Sequence, residues 1–352
     1  MVLRVLFLAL SCLFFIGKPW AEELKINPQH PDQYTVVKGD TLWDISGKFL
    51  QHPWQWPQLW HNNPQIKDAH WIYPGETLYF SYVNGEPRLS MSRDSYASER
   101  NDASERVEPR IRESDVEAAI PMIPSDAIAQ FLSSPKVVNK EEISQAPYVV
   151  NIGGNDRIIG GIGDTVYVRA ISSATANLNY NIFRPGDAYI NPDTNEILGY
   201  EADYVGDATL VATGDPATLL VTRSHAQIHP GDRLMPNNQT PLALNYFPRP
   251  PDHQIFGHII RVLSGVIEIG QHDIVVIDKG AADGLQAGHV LNIFREGLVV
   301  NDIYHSDHTE KVKLPDEYSG VLMVFRPFER VSYALVMEAL GSVHTMDRVQ
   351  TP

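Results

Sequence analysis

The chain has 352 residues, 43% of them hydrophobic and 20% charged, which is material for roughly two or three domains with buried cores. Its formal net charge of −15 excludes nucleic acid as a partner of the whole chain, because phosphate binding needs clustered lysine and arginine. The single cysteine, Cys12, lies in an N-terminal apolar run; once that run is removed, disulfides, cysteine metal sites and cysteine nucleophiles are all excluded.

Residues 1–21 read as a secretory signal. Arg4 gives a minimal positive start, residues 5–16 are apolar apart from Ser11, and Gly17 and Pro19 end the run. That length suits a signal of about 7–15 apolar residues and falls short of the ~18–20 that cross a bilayer. Cleavage is expected after Ala21, although Pro19 at the −3 position suits the peptidase poorly. An uncleaved anchor is the alternative; lipidation at Cys12 fits badly because residues 13–16 stay apolar.

A Trp-dense module follows at 33–81. Residues 34–37 form a strand and Gly39 turns the chain. Thr41 caps a short helix with Asp44 three residues on, in a capping-box arrangement, and Leu42, Ile45 and Phe49 supply one apolar face. Pro53 and Trp54 open a second helix that ends near Asn62, Asn63 and Pro64. Pro74 and Gly75 then turn the chain into a last strand over 76–80, giving a βααβ unit. Five of the six tryptophans lie between Trp43 and Trp71. A module this small needs large side chains for its core, so most are expected to be structural, with Trp56 and Trp71 at the surface.

Residues 84–119 are rich in Arg, Glu, Asp and Ser without an apolar period and read as a flexible polar linker, the alternative being a solvated helix. Residues 120–147 hold the extended strip Ile120-Pro-Met-Ile-Pro124, then a short helix over 126–131 capped by Ser125.

From residue 148 on, short β-branched runs at 165–168, 218–222, 274–277 and 318–325 alternate with Gly, Asp, Asn and Pro. This half repeats itself. Asn181-Ile-Phe-Arg-Pro-Gly186 recurs as Asn292-Ile-Phe-Arg-Glu-Gly297, and His229-Pro-Gly-Asp-Arg-Leu234 as His344-Thr-Met-Asp-Arg-Val349. A spacing of about 110 residues is far above the 20–50 of a solenoid, so two related barrel-like units are expected, at 148–240 and 254–352. The expected fold class is multidomain α+β and all-β: a βααβ module, a linker and a β-rich half.

The ordered signals Gly39-Asp-Thr-Leu42, Asn63-Pro64 and Tyr73-Pro-Gly-x-x-Leu78 resemble the LysM family. The resemblance implies a shallow groove for N-acetylglucosamine-containing glycan of peptidoglycan. One side would be Gly39, Asp40, Thr41 and Leu42, the other Ile72, Tyr73 and Pro74. Backbone amides open at a helix start suit the N-acetyl carbonyl. For Asp40 and Thr41 the competing reading is helix capping alone, and for Tyr73 packing alone. The insertion at residues 53–60 departs from the shortest LysM pattern and bears on glycan length.

The Trp54-Gln-Trp-Pro-Gln-Leu-Trp60 form of the module, the strip at 120–124 and Gly214-Asp-Pro-Ala217 resemble the type IV pilus secretin-associated (TsaP-like) family. The C-terminal region is similar to that of the flagellar T-ring protein. These resemblances imply a periplasmic, non-enzymatic tether. Its module would hold the wall and its β half an outer-membrane secretin multimer, with self-assembly around the ring. The linker would span some 30–35 Å by coil scaling. A flagellar-ring component is the alternative, and a peptidoglycan hydrolase a weaker one.

No nucleophile elbow, zinc helix, P-loop or dinucleotide fingerprint is present, and no cofactor or metal is expected. His225, His229, His253 and His258 match no metal spacing. Asp164, Asp187, Asp232 and Asp283, each near a Gly, read as turn residues.

Overall fold

A computed structural model describes residues 24–61, 72–83, 85–91, 120–124, 128, 131, 136–153, 157–171, 179–237, 246–263, 269–302, 304 and 310–352. The expected signal at 1–21, Trp71, the end of the second helix and most of the linker lie outside the described residues. So does most of the helix expected after Ser125, of which Ile128 and Phe131 are described and helical. Among the described residues no helix is long and apolar enough to cross a membrane.

The module begins with β1 (Gln33–Thr35) and α1 (Leu42–Phe49). A single 3-10 turn (Pro53–Gln55) leads into α2 (Trp56–His61), and β2 (Thr77–Val83) and β3 (Glu86–Ser90) follow. The strands form an antiparallel sheet in the order β1-β2-β3, with Tyr34 opposite Leu78 and Phe80 opposite Leu89. β3 corrects the expected linker start: residues 86–90 extend the sheet. The apolar alternation that pairs Leu89 with Phe80 lies among charged neighbours and is easily passed over. α1 forms where its spacing predicts, burying Leu42, Ile45 and Phe49, and Phe49 stacks on Phe80 at 5.7 Å. Trp43, Trp54 and Trp56 are all buried. Trp56 therefore overturns its expected exposure; its ring lies 6.2 Å from that of Phe247, far along the chain.

After the module, β4 (Lys136–Val138) and α3 (Lys140–Gln145) lead into the β half. Asn139 caps α3 with Glu142 three residues on, a capping box legible in the sequence but not singled out there. The first unit has β5 (Tyr148–Ile152), β6 (Thr165–Arg169), β7 (Asn179–Ile190), β8 (Ile197–Ala212), β9 (Ala217–Ser224) and β10 (Arg233–Pro236). The sheet runs β4-β8-β7-β10-β5-β6-β9, and β9 also pairs with β8, so six strands close into a ring with β4 on its rim.

The second unit opens with β11 (Phe256–Val262), β12 (Ile274–Ile277) and β13 (Val290–Arg295), followed by the side hairpin β14 (Val299–Asn301) and β15 (Lys311–Lys313). It is completed by β16 (Glu317–Pro327), β17 (Ser332–Ala339) and β18 (Arg348–Gln350). Its six ring strands form a closed barrel, β11-β12-β17-β16-β13-β18. With the side hairpin set apart and each unit's strands numbered from its own start, both rings read first, second, fifth, fourth, third, sixth.

The likeness reaches single residues. Ile182 and Ile293 of the repeated motif face Gly206 and Gly320, with a bulge beginning at the next residue of each copy. Gly206 and Gly320 in turn face Ser224 and Ala339 on the fifth strand. A Cβ on either glycine would run into a strand carbonyl, that of Arg223 or Glu338. Gly206→Ala and Gly320→Ala are each expected to destabilise by about 1–3 kcal/mol, as forced overpacking does. Urea unfolding measures this, and a change below about 0.5 kcal/mol at both sites would refute the close approach.

The second barrel is apolar on both faces along one side. On β12, β16 and β17, Val275, Ile277, Leu322, Val324, Ala334 and Val336 fill the barrel. The alternate residues Ile274, Val276, Val321, Met323, Phe325, Tyr333, Leu335 and Met337 join an outer layer instead. That explains the unbroken apolar runs of these strands. The outer layer is continuous with the core of the Trp-dense module, the 120–124 strip, and Tyr189 and Leu198 at the far end of β7 and β8. Arg261 seals the contact between the barrels: it donates to Glu201 at 2.6 Å and pairs with Asp187. Asp187 thus lies in a strand and carries an inter-barrel ion pair, where a turn role was expected. Burial pushes the Glu201 and Asp203 carboxyls up, against the pull of Arg261.

Candidate glycan-binding site

Two loops of the module lie side by side because backbone bonds join them. Val36 N donates to Glu76 O at 2.8 Å and Gly75 N to Val36 O at 2.8 Å. Gly39 and Gly75 both take positive φ, 99° and 90°, which permits the tight turns on either side.

On the first loop Gly39 is exposed and Asp40 partly so. Asp40 Oδ2 accepts from Val37 N at 2.8 Å and Tyr34 OH at 2.9 Å, so this carboxylate braces the turn. The Tyr34 hydroxyl, partly desolvated and bonded to Asp40, is pushed up to about 12 and is a neutral donor at physiological pH. Thr41 is buried and caps α1: its Oγ1 accepts from Asp44 N at 3.1 Å, while Asp44 Oδ2 accepts from Thr41 N at 3.2 Å. Leu42 is buried at the start of the helix.

On the second loop Ile72 is fully buried, and Tyr73 and Pro74 are half-buried. Tyr73 N donates to Glu76 Oε2 at 3.0 Å. Glu76 is thus a loop-shaping residue absent from the sequence reading, although its spacing of three from Tyr73 is the signal for such a bond.

The seven predicted residues lie on these two adjoining loops, and a later segment of the chain bonds to both loops. Leu42 N donates to Pro121 O at 3.0 Å and Trp43 N to Met122 O at 3.2 Å, while Ile120 N donates to Ile72 O at 2.9 Å. Ile120, Met122 and Ile123 are buried against the module. The strip was expected to be extended, but it bends at Met122 and Ile123; nothing in its sequence says where it docks.

Elsewhere the acidic residues beside glycines hold backbone amides. Asp164 accepts from Gly161 N at 2.9 Å, Asp232 from His229 N at 2.8 Å and Asp283 from Gly280 N at 2.9 Å. His229 Nδ1 sits 2.7 Å from Arg184, and His253 Nε2 2.9 Å from the Asp283 carbonyl. Among the described residues no three His, Cys, Asp or Glu side chains converge as metal ligands do.

Residues 34–81 match the LysM domain, so the chain contains a LysM domain over this stretch. That domain implies peptidoglycan binding and association with the cell wall or envelope. A stretch of the chain is 40% identical over 58 residues to "Uncharacterized protein YqbP" of Bacillus subtilis (strain 168), covering 14% of this chain and 26% of that protein. The chain therefore spans about a quarter of the length of that relative.

Proposed function

We propose that this is a non-enzymatic periplasmic protein that binds N-acetylglucosamine-containing glycan in the LysM cleft and ties an outer-membrane secretin of the type IV pilus machinery to the wall. The observation that carries the glycan half is the joining of the two loops. The Leu42 and Trp43 amides and the Ile72 carbonyl lie on these two loops, and three separate peptide groups of the 120–124 strip occupy them: the Pro121 and Met122 carbonyls and the Ile120 N–H. An N-acetyl group offers one donor and one acceptor of these kinds together with a small apolar methyl. The secretin half is supported by the sequence similarity of the strip and the β motifs to the secretin-associated family. The span between wall and secretin is then set by the packed body of module and barrels.

Pelleting with purified sacculi tests the first half. Tyr73→Ala is expected to weaken pelleting about fivefold, on the order of 1 kcal/mol. Asp40→Ala, which frees the Val37 amide and the Tyr34 hydroxyl, should act similarly through the loop. Pelleting unchanged in both variants, and in a chain lacking the module, overturns the glycan reading. Recovery from outer membranes with secretin multimers supports the second half; recovery with flagellar basal bodies overturns it. Release of soluble fragments from sacculi, absent after boiling, would sink the non-enzymatic reading.

A further inference from the structure

The 120–124 strip lies outside the stretch that matches the LysM domain, which ends at residue 81. The strip nevertheless engages both loops of the cleft. It gives two carbonyl oxygens, of Pro121 and Met122, to the first two amides of α1, and one N–H, of Ile120, to the Ile72 carbonyl. A helix start leaves its first amides without partners inside the helix, so these donors are open to whatever ligand sits there. Ile120, Met122 and Ile123 add apolar contact, each no more than 4% exposed.

Pro121 and Pro124 restrict the backbone of the residues before them, and the strip bends at Met122 and Ile123. The strip is in effect a peptide ligand of the cleft, made of the same chain and present at high effective concentration.

We propose, resting on the glycan reading above, that residues 120–124 are a built-in competitor of the LysM cleft and that the module takes N-acetylated sugar only when the strip leaves. The competitor sets the working affinity: a cleft closed in nine molecules of ten binds about tenfold more weakly than an open one. The strip also belongs to the apolar layer on the second barrel, so its departure exposes part of that layer. Occupancy of the cleft and packing of the module on the barrel are thereby linked, and by reciprocity whatever loosens that packing strengthens glycan binding.

The test uses the full chain with chitotetraose, the tetramer of N-acetylglucosamine, as probe. Calorimetric titration of wild type and of a Met122→Ser/Ile123→Ser variant is expected to show about tenfold tighter binding by the variant. Peroxide oxidation of Met122 in the wild type gives a second reading that does not depend on the variant folding. The buried thioether is expected to resist oxidation in the free protein and to react faster at saturating chitotetraose. Equal affinities in the two chains, or a Met122 rate unchanged by bound sugar, overturn the competitor while leaving the glycan reading standing. If neither chain binds the probe, the glycan reading itself fails and takes the competitor with it.

Discussion

Tyr333→Ala is expected to lower the stability of the β half by about 3–5 kcal/mol, the range for deleting a large buried aromatic. Tyr333 has 0% exposure and lies where the two barrels meet. Its ring packs edge-on against Phe328 at 4.9 Å and lies 6.5 Å from Phe325, and its hydroxyl reaches that of Tyr189, on β7 of the other barrel, at 3.4 Å. Burial pushes the Tyr333 hydroxyl up to about 12 and that of Tyr189 higher, so both stay neutral and the pair is not broken by charge near neutral pH. Truncation leaves a cavity in a layer shared by both barrels and the module, so the module, which holds five of the six tryptophans, should also lose its cooperativity with the barrels. Urea unfolding followed by tryptophan fluorescence and far-UV circular dichroism is expected to show coincident transitions in wild type and separated ones in the variant. Tyr333→Phe keeps the ring and should cost about 1 kcal/mol. A Tyr333→Ala chain within about 1 kcal/mol of wild type, with one transition, would rule out a packed junction.

Asp232→Ala should cost about 2–4 kcal/mol, and more than Asp347→Ala at the equivalent place in the second barrel. Both carboxylates are buried, at 3% and 5% exposure, and each accepts the amide of the histidine that opens its repeat motif, His229 or His344, at 2.8 Å. Asp232 also receives a two-pronged bond from Arg184, at 2.8 and 2.9 Å, whose third contact is the Gln227 carbonyl at 2.9 Å. Removing the carboxylate strands a guanidinium and a turn amide together. Arg184 is 39% exposed on its side chain, so water recovers part of the loss, and the lower half of the range is the expected centre. Asp347 holds its turn under a different balance: burial pushes its carboxyl up, and the His344 amide and the Arg295 charge are among the groups that pull it down. Paired denaturant melts of the two alanine variants measure the difference, and an Asp347→Ala cost exceeding that of Asp232→Ala would reverse the ranking.

The LysM module was legible because its signals are local. Thr41 and Asp44 are three apart and bond each other, and Leu42, Ile45 and Phe49 lie on one helical face. The duplicated half was legible because each copy of a motif keeps its structural task, down to the glycines that the repeated isoleucines face. What failed to show were contacts between distant segments. Trp56 carries no mark that Phe247 will approach it. Asp187 beside Gly186 looks like any turn acid until Arg261 arrives from the other barrel. The runs in β12 and β16 announced strands, but a strand covered on its outer face by another domain reads like one covered by its own sheet partner. The seven candidate glycan residues rest on family likeness to one module; the strip that bonds both of their loops is short irregular chain whose destination only tertiary structure fixes.

The excursion through residues 92–119 leaves from β3 and returns at Ile120 to bond Ile72, so both of its ends are fastened to the same module. Its length consequently does not measure a distance between the wall and anything else. A protease that cuts within it divides the polypeptide without dividing the body. The N-terminal piece carries the module, the C-terminal piece carries the strip and both barrels, and the bonds that join them include three backbone hydrogen bonds beside the shared apolar layer. A nicked molecule should therefore elute from a sizing column as one species and come apart only in denaturant. A link that looks mechanical in the sequence becomes a dissociable joint after a single cut.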